Sequence, residues 1–245
     1  MRYFITFAYD GSKFSGYQKQ SKVKTVQGEI EKALQKVSGE KIMIYASGRT
    51  DAGVHALNQK AHFDMVMNIS TYSLKQAINS NLLDTIYVKE VCETNEMFHA
   101  RFNVKAKEYI YKINMGEYDP IEKDYIYQYN KKLDVVAIER ALKYVEGTHD
   151  FKSFTKADDI KDDYVRTIVQ TNLIRDVRNV NKITICFLGT GFMRYMIRNI
   201  IGTLIEVGEG KRKSEDIIDI LAACDRRKAG ATAKPEGLYL KNVFY

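Results

Sequence analysis

Three hydrophilic segments set between apolar stretches hold most of the side chains fit for chemistry. The first, Ser47-Gly-Arg-Thr-Asp-Ala-Gly-Val-His55, places Arg49 two residues before Asp51 and brackets both with Gly48 and Gly53. Glycine permits backbone conformations closed to other residues and lets a second chain come close. Arg49 and Asp51 can form a charge-assisted pair within one loop; Asp followed closely by Gly equally suits a plain turn. The second, Phe98-His-Ala-Arg-Phe102 followed by Lys105, Lys107 and Tyr109, interleaves cations with aromatic rings. Such a run binds phosphates and stacks bases, or forms an ordinary basic edge strand. The third, Phe192-Met-Arg-Tyr-Met-Ile-Arg-Asn199, sets Arg194 and Arg198 four apart, the spacing of one helical face. The apolar Met196, Ile197, Ile200, Ile201 and Leu204 around them predict a largely buried helix. A guanidinium costs too much to bury unpaired, so Arg198 calls for a carboxylate or phosphate partner, structural or catalytic.

Other chemistries find no support. His55, His62, His99 and His149 show no metal-ligand spacing, and no G-x-S-x-G elbow is present. Gly208-Glu-Gly-Lys-Arg-Lys-Ser214 lacks the hydroxyl residue directly after Gly-Lys and the earlier glycine of a phosphate loop, and no G-x-G-x-x-G follows a strand. Cys92, Cys186 and Cys224 are odd in number, far apart and set in apolar runs, where a free thiol behaves as a small hydrophobe.

The elements that must position these segments read as two α+β units. Arg2–Tyr9 alternates as a strand, with Tyr3, Ile5 and Phe7 on one face. Thr25 is an N-cap for a helix whose apolar Val26, Ile30, Ala33, Leu34 and Val37 fall at helical spacing, and Gly39 ends it. Lys41–Ser47 and Gln59–Met65 read as strands on either side of the Asp51 loop. A helix near Ser73–Ile78 and strands at Thr85–Val91 and Glu108–Asn114 follow. Residues 115–132 are polar, acidic and tyrosine-rich and hold Pro120, a shift of composition that marks a candidate boundary region. Beyond it the pattern predicts a helix over Asp134–Val145 closed by Gly147, and strands near Tyr164–Asp176 and Lys182–Leu188 around an Asn179–Asn181 turn. A helix over Phe192–Val207, a helix capped by Ser214 and ending near Ala223, and a strand over Leu238–Tyr245 complete the chain. The expected fold class is α+β: two domains, 1–105 with the Asp51 loop and 106–245, each a mainly antiparallel sheet with helices on one face.

Composition sets the outer limits. The 245 residues are 45% hydrophobic and 28% charged, as expected of a soluble globular protein able to bury a core without disulfides or metal. No run approaches the ~18 apolar residues of a membrane span, and the N-terminus lacks a signal peptide's apolar region, so no membrane association and a cytoplasmic location are expected. The net charge of +7 favours encounter with phosphate backbones, and 17 tyrosines and 11 phenylalanines supply rings on which unpaired bases can stack.

Taken in order, the segments resemble the signature blocks of the tRNA pseudouridine synthase A family over nearly the whole chain. Tyr9-Asp-Gly-Ser-Lys-Phe-Ser-Gly-Tyr-Gln18 is similar to the family's opening block, and Thr25-Val-Gln-Gly-Glu-Ile-Glu31 to the helix after it. Ser47–Ala56 resembles the catalytic loop, the most specific of the set. Phe98–Phe102 with Lys107 and Tyr109, Gly147–Phe151, Arg166–Ile168, Phe192–Gly202 and Gly237–Leu240 carry the likeness onward. One departure stands out: Tyr17 occupies the place where the family usually has tryptophan, which bears on the RNA contact of that loop.

The resemblance implies two related α+β halves with the active site in the cleft between them, and a homodimer in which one tRNA contacts both subunits. It implies uridine-to-pseudouridine isomerisation at positions 38, 39 and 40 of the anticodon stem-loop, with no cofactor and no metal. Asp51 takes the role of the catalytic aspartate; an aspartate's ordinary pKa of ~3.9 makes it an anion at neutral pH, a nucleophile or a base. Arg49 and Arg198 then hold that carboxylate ionised or fill the gap left by the extracted base. Tyr109 matches the tyrosine that packs on the target uracil. Arg101, Lys105, Lys107 and Arg194 are candidate phosphate contacts that offset the cost of flipping the base from its stack. The alternatives are a related synthase acting on another RNA site and a non-catalytic RNA-binding module; the intact Arg49–Asp51 loop argues against the module.

Overall fold

A computed structural model of the chain describes residues 1–156 and 163–245. These residues form two compact units, Met1–Lys105 with Tyr239–Tyr245 and Ala106–Leu238.

In the first unit, β1 (Arg2–Tyr9) runs antiparallel between β3 (His55–Asp64) and β4 (Ile86–Thr94). Its alternation buries Tyr3, Ile5 and Phe7 completely, and Tyr3 stacks on Phe63 of β3. α1 (Val26–Ser38) buries Ile30, Ala33 and Leu34, and α2 (Thr71–Asn81) buries Leu74 and Ile78. The two helices pack together, and α2 lies along β4. Local chemistry sets their ends. Thr25 Oγ1 accepts from the Gly28 N–H, and Gly39, at φ +79°, donates to the Gln35 carbonyl in the left-handed conformation that favours glycine. Ser70 caps α2 in the same manner through the Ser73 N–H. The stretch expected as a strand over Lys41–Ser47 contracts to β2 (Tyr45–Ala46), antiparallel to β3, and β3 begins four residues earlier than the alternation suggests.

The last strand, β10 (Leu238–Phe244), differs from expectation. Sequence position assigns it to the second half, yet Tyr239 and Leu240 pair in parallel with His55 and Ala56 of β3, so Tyr239–Tyr245 belong to the first unit. The aromatic contacts agree: Tyr239 stacks on His55, and Tyr245 packs against Phe4 and Phe98.

The second unit is built on β5 (Ala106–Asn114), which pairs antiparallel with β9 (Lys182–Gly189), and β9 with β8 (Val165–Arg175). β7 (Gly147–Asp150), a strand the sequence pattern missed, adds to β8. Gly147 starts this strand at φ +104°, and the C-cap of α3 (Val135–Val145) is the extended Glu146 instead. Asp134, read as the first residue of this helix, is its N-cap, accepting from the Ala137 N–H. The polar stretch 115–132, read as a candidate boundary region, lies within the second unit and folds back on β5 through β6 (Tyr127–Gln128), held where Asn114 Nδ2 donates to the Glu117 carbonyl and to Gln128 Oε1. α4 (Met196–Gly208) and α5 (Asp216–Ala223) pack on α3. Ser214 donates to the Ala137 carbonyl rather than capping α5. Both units are thus α+β with mainly antiparallel strands. The three cysteines are free thiols.

Candidate active site

The Asp51 loop connects β2 to β3 and is held from below and from the side. Below, Ser47 Oγ donates to Gln59 Oε1 at 2.6 Å, and Gln59 Nε2 donates to the Gly48 carbonyl at 3.1 Å. Ser47 and Gln59 are fully buried, where a satisfied amide fork of this kind fixes a backbone firmly. Beside Asp51, the Thr50 hydroxyl lies 2.8 Å from the Tyr9 phenol, and the Thr50 carbonyl accepts from the Tyr17 N–H at 3.1 Å. Burial pushes the Tyr9 phenol up to about 12, so at neutral pH it is an un-ionised hydrogen-bonding group. The Asp51 carbonyl accepts from Val54 N–H, closing a turn in which Gly53 has φ +79°.

The Tyr9–Gln18 segment is the clasp of this loop. A Cβ on Gly11 would lie 2.0 Å from the Val54 carbonyl oxygen, closer than any real contact. Gly16, at φ +93°, faces the Thr50 carbonyl and the Ala52 N–H. The Gly11 N–H donates to His55 Nδ1 at 3.1 Å. These approaches leave the Asp51 side chain half-exposed. With Thr50 turned inward, Arg49 points to solvent and makes no ion pair among the described residues, so the pair anticipated within the loop is not formed.

Arg101 and Lys105 are exposed in the first unit. The Lys105 N–H donates to the Phe244 carbonyl, and the Arg101 N–H to His99 Nδ1. Phe98 is committed to packing against Phe4 and Tyr245, whereas Phe102 is 77% exposed.

The other four sequence-nominated residues lie in the second unit. Tyr109, on β5 opposite Phe187, is buried and meets the edge of Phe192 at 5.3 Å. Lys107 stands opposite Gly189, where a Cβ would come within 2.8 Å of the Phe192 ring. The Arg194–Arg198 arrangement departs from the helical-face expectation. Tyr195 takes a left-handed φ of +64°, so α4 begins only at Met196 and Arg194 precedes it. The two guanidiniums instead lie 5.2 and 5.0 Å from the Tyr195 ring centroid. This cation–π arrangement of one ring and two cations gave no signal in the spacing. Arg198 is fixed further: Nε donates to the Ala233 carbonyl at 2.7 Å, and the Ala233 N–H donates to the Arg198 carbonyl. Gly202 permits this, since a Cβ there would lie 1.6 Å from the Ala231 carbonyl oxygen. Burial raises the nearby Glu236 carboxyl and the Arg198 charge opposes that rise. Among the described residues, no group of three or more His, Cys, Asp or Glu could hold a metal ion, and no helix is long and apolar enough to cross a membrane.

A half-exposed carboxylate on a loop fixed by buried hydrogen bonds suits an enzyme that works by nucleophilic or general-base chemistry. A family model described as tRNA pseudouridine synthase matches residues 5–103 and 141–245. The tRNA pseudouridine synthase A of Geobacillus sp. (strain WCH70) is 46% identical over 242 residues, covering 98% of this chain and 96% of the relative. That of Thermosipho melanesiensis is 41% identical over 247 residues, covering 100% and 99%. A solved archaeal box H/ACA sRNP Nop10–Cbf5 complex aligns with 95% of this chain and 62% of its own at 10% identity, with a TM-score of 0.35. The chain belongs to the tRNA pseudouridine synthase family and is an isomerase that makes pseudouridine.

Proposed function

We propose that this enzyme isomerises uridine to pseudouridine at positions 38, 39 and 40 in the anticodon stem-loop of tRNA, with Asp51 as its catalytic carboxylate. The observation that carries the reading is the nearly full-length likeness to relatives named tRNA pseudouridine synthase A; the choice of Asp51 rests on the resemblance of Ser47–Ala56 to the family's catalytic loop. The reaction breaks the C1′–N1 bond, turns the detached uracil and joins C1′ to C5; the C5 proton leaves to water and N1 takes one up. Asp51 attacks C1′ or C6, or takes a proton from the sugar. Arg198 is assigned to holding the carboxylate ionised or filling the place of the extracted base, and Arg49, which makes no ion pair with Asp51 in the free enzyme, to filling that place. Tyr109 packs on the uracil and assists removal of the C5 proton. Flipping the base costs a few kcal/mol, which contacts from Arg101, Lys105, Lys107 and Arg194 to phosphates offset. The enzyme is proposed to act as a homodimer in the cytoplasm, without metal or cofactor.

The test is release of tritium from undermodified tRNA carrying uridine labelled at C5. The wild type releases it and Asp51→Asn does not. Binding of that tRNA by the wild type without any release would replace this reading with a non-catalytic RNA-binding module. Affinity should also fall steeply with salt; a flat titration would remove the phosphate contacts from the scheme.

A further inference from the structure

Four rings from three separate parts of the first unit form a continuous ladder near the end of β3 farthest from the Asp51 loop. Tyr45 stacks on His62 at 5.2 Å and 19°, His62 meets the edge of His99 at 4.6 Å, and His99 stacks on Phe102 at 4.2 Å and 29°. The two end rings are the open ones, Tyr45 at 44% and Phe102 at 77% exposure. A phenylalanine with one face on an imidazole and most of its surface in water is placed at a hydrophobic cost that the fold itself does not offset.

The ladder is rigid and uncharged. His62 Nδ1 accepts from the Ala100 N–H and His99 Nδ1 from the Arg101 N–H, both at 3.1 Å. His99 and Asn103 bond reciprocally, and the Tyr245 phenol donates to the Ala100 carbonyl. Burial, with the Arg2 charge, holds His62 down to about 4, and the same causes with Arg101 lower His99, so both imidazoles are neutral at pH 7. Arg101, whose charge acts on His99, and Lys105, three residues after Phe102, are exposed and without ion pairs among the described residues. A protein partner's hot core is depleted of unpaired charge, whereas bare cations beside an open ring are the make-up of a single-stranded nucleic-acid platform.

We propose that Phe102, backed by His99 and flanked by Arg101 and Lys105, is a stacking platform for an unpaired base of the substrate RNA, outside the catalytic loop. The proposal rests on the RNA-modifying function above and names where that RNA is gripped. Seven residues of strand separate His55 from His62, or roughly 23 Å at ~3.3 Å per residue. The platform therefore holds a base other than the one isomerised, and its loss should weaken RNA binding rather than chemistry.

The experiment compares the full-length wild type, Phe102→Ala and Phe102→Trp for Kd with undermodified tRNA, for single-turnover tritium release at saturating enzyme, and for sedimentation. Loss of one base–aromatic stack should raise Kd roughly 5- to 100-fold in Phe102→Ala, with the saturated rate within about threefold of wild type and Phe102→Trp restoring affinity. An unchanged Kd in Phe102→Ala overturns the platform. An unchanged Kd with a changed sedimentation coefficient reassigns the surface to contact between protein chains, also overturning it. A wild type that binds tRNA but releases no tritium sinks the enzymatic reading instead, and the Phe102 comparison of Kd still decides the platform.

Discussion

Removing the Tyr9 hydroxyl tests whether the Asp51 loop is positioned from the first strand. The phenol of Tyr9 and the hydroxyl of Thr50 are both buried and lie 2.8 Å apart. Tyr9→Phe leaves the Thr50 hydroxyl without this partner, and a buried polar group so stranded costs about 1–3 kcal/mol. Taking about 2 kcal/mol, a protein of this length should lose about 4–8 °C in thermal midpoint. Thr50→Val strands the Tyr9 phenol in turn, and a cost of the same order, about 1–3 kcal/mol, is expected. In the double variant neither hydroxyl is stranded against the other, so its cost should fall short of the sum by about 1 kcal/mol. Thr50 adjoins Asp51, so both single variants should also lower kcat, by about tenfold or more if the carboxylate moves by a fraction of an ångström. Thermal unfolding and tritium release on the same four proteins settle it. Strict additivity would show that the hydroxyls do not act on each other. A stability loss with kcat untouched would show that this anchor does not position the carboxylate.

Three further outcomes follow from the same geometry. The Tyr17 phenol is buried and makes no hydrogen bond among the described residues, so Tyr17→Phe should be as stable as the wild type or more stable, by up to about 1–2 kcal/mol in thermal unfolding; a clear loss of stability would mean the hydroxyl is satisfied. Gly11→Ala must displace the Val54 backbone and should abolish most activity, whereas Gly39→Ala, with open space around it and φ +79°, should cost about 1–2 kcal/mol and leave kcat unchanged; equal effects on kcat would refute the clasp. His62 titrates near 4 when folded and near its ordinary value of 6.5 when unfolded, so between those values the unfolded chain binds more protons. Stability should therefore fall as pH drops from about 6.5 to about 4, and His62→Gln should flatten that slope in urea titrations; an unchanged slope would assign the acid sensitivity elsewhere.

The elements legible in the sequence are those set by near neighbours. The Thr25 cap and the Gly39 stop bound α1 as read, because each acts within four residues of the helix end. The alternation of Arg2–Tyr9 gave β1 and its buried face for the same reason. Elements defined by a distant partner were not legible. β7 and β6 exist only through pairing with β8 and β5, and β10 crosses back to β3 nearly 200 residues earlier, a return no local pattern encodes. The start of α4 was hidden differently. Phe192–Tyr195 has helical spacing of its apolar residues, and only the left-handed Tyr195, stabilised beside two guanidiniums, interrupts it.

The candidate site follows the same division, and this says what the sequence segments are for. Asp51 stands out in a nine-residue loop, but apart from the turn closed by the Val54 N–H on the Asp51 carbonyl, that loop is anchored by residues outside it. Its support comes from Tyr9 and Tyr17 on one side and Gln59 on the other. Tyr9–Gln18 is thus the structural half of the Asp51 loop: Gly11 and Gly16 are small because the loop backbone occupies the space a side chain would need. A substitution in either segment should then act through the other. Variants of Tyr9 and Thr50 should be non-additive, whereas Tyr9→Phe and the remote Phe102→Ala should add in their effects on stability and on RNA affinity, because the platform shares no contact with the clasp.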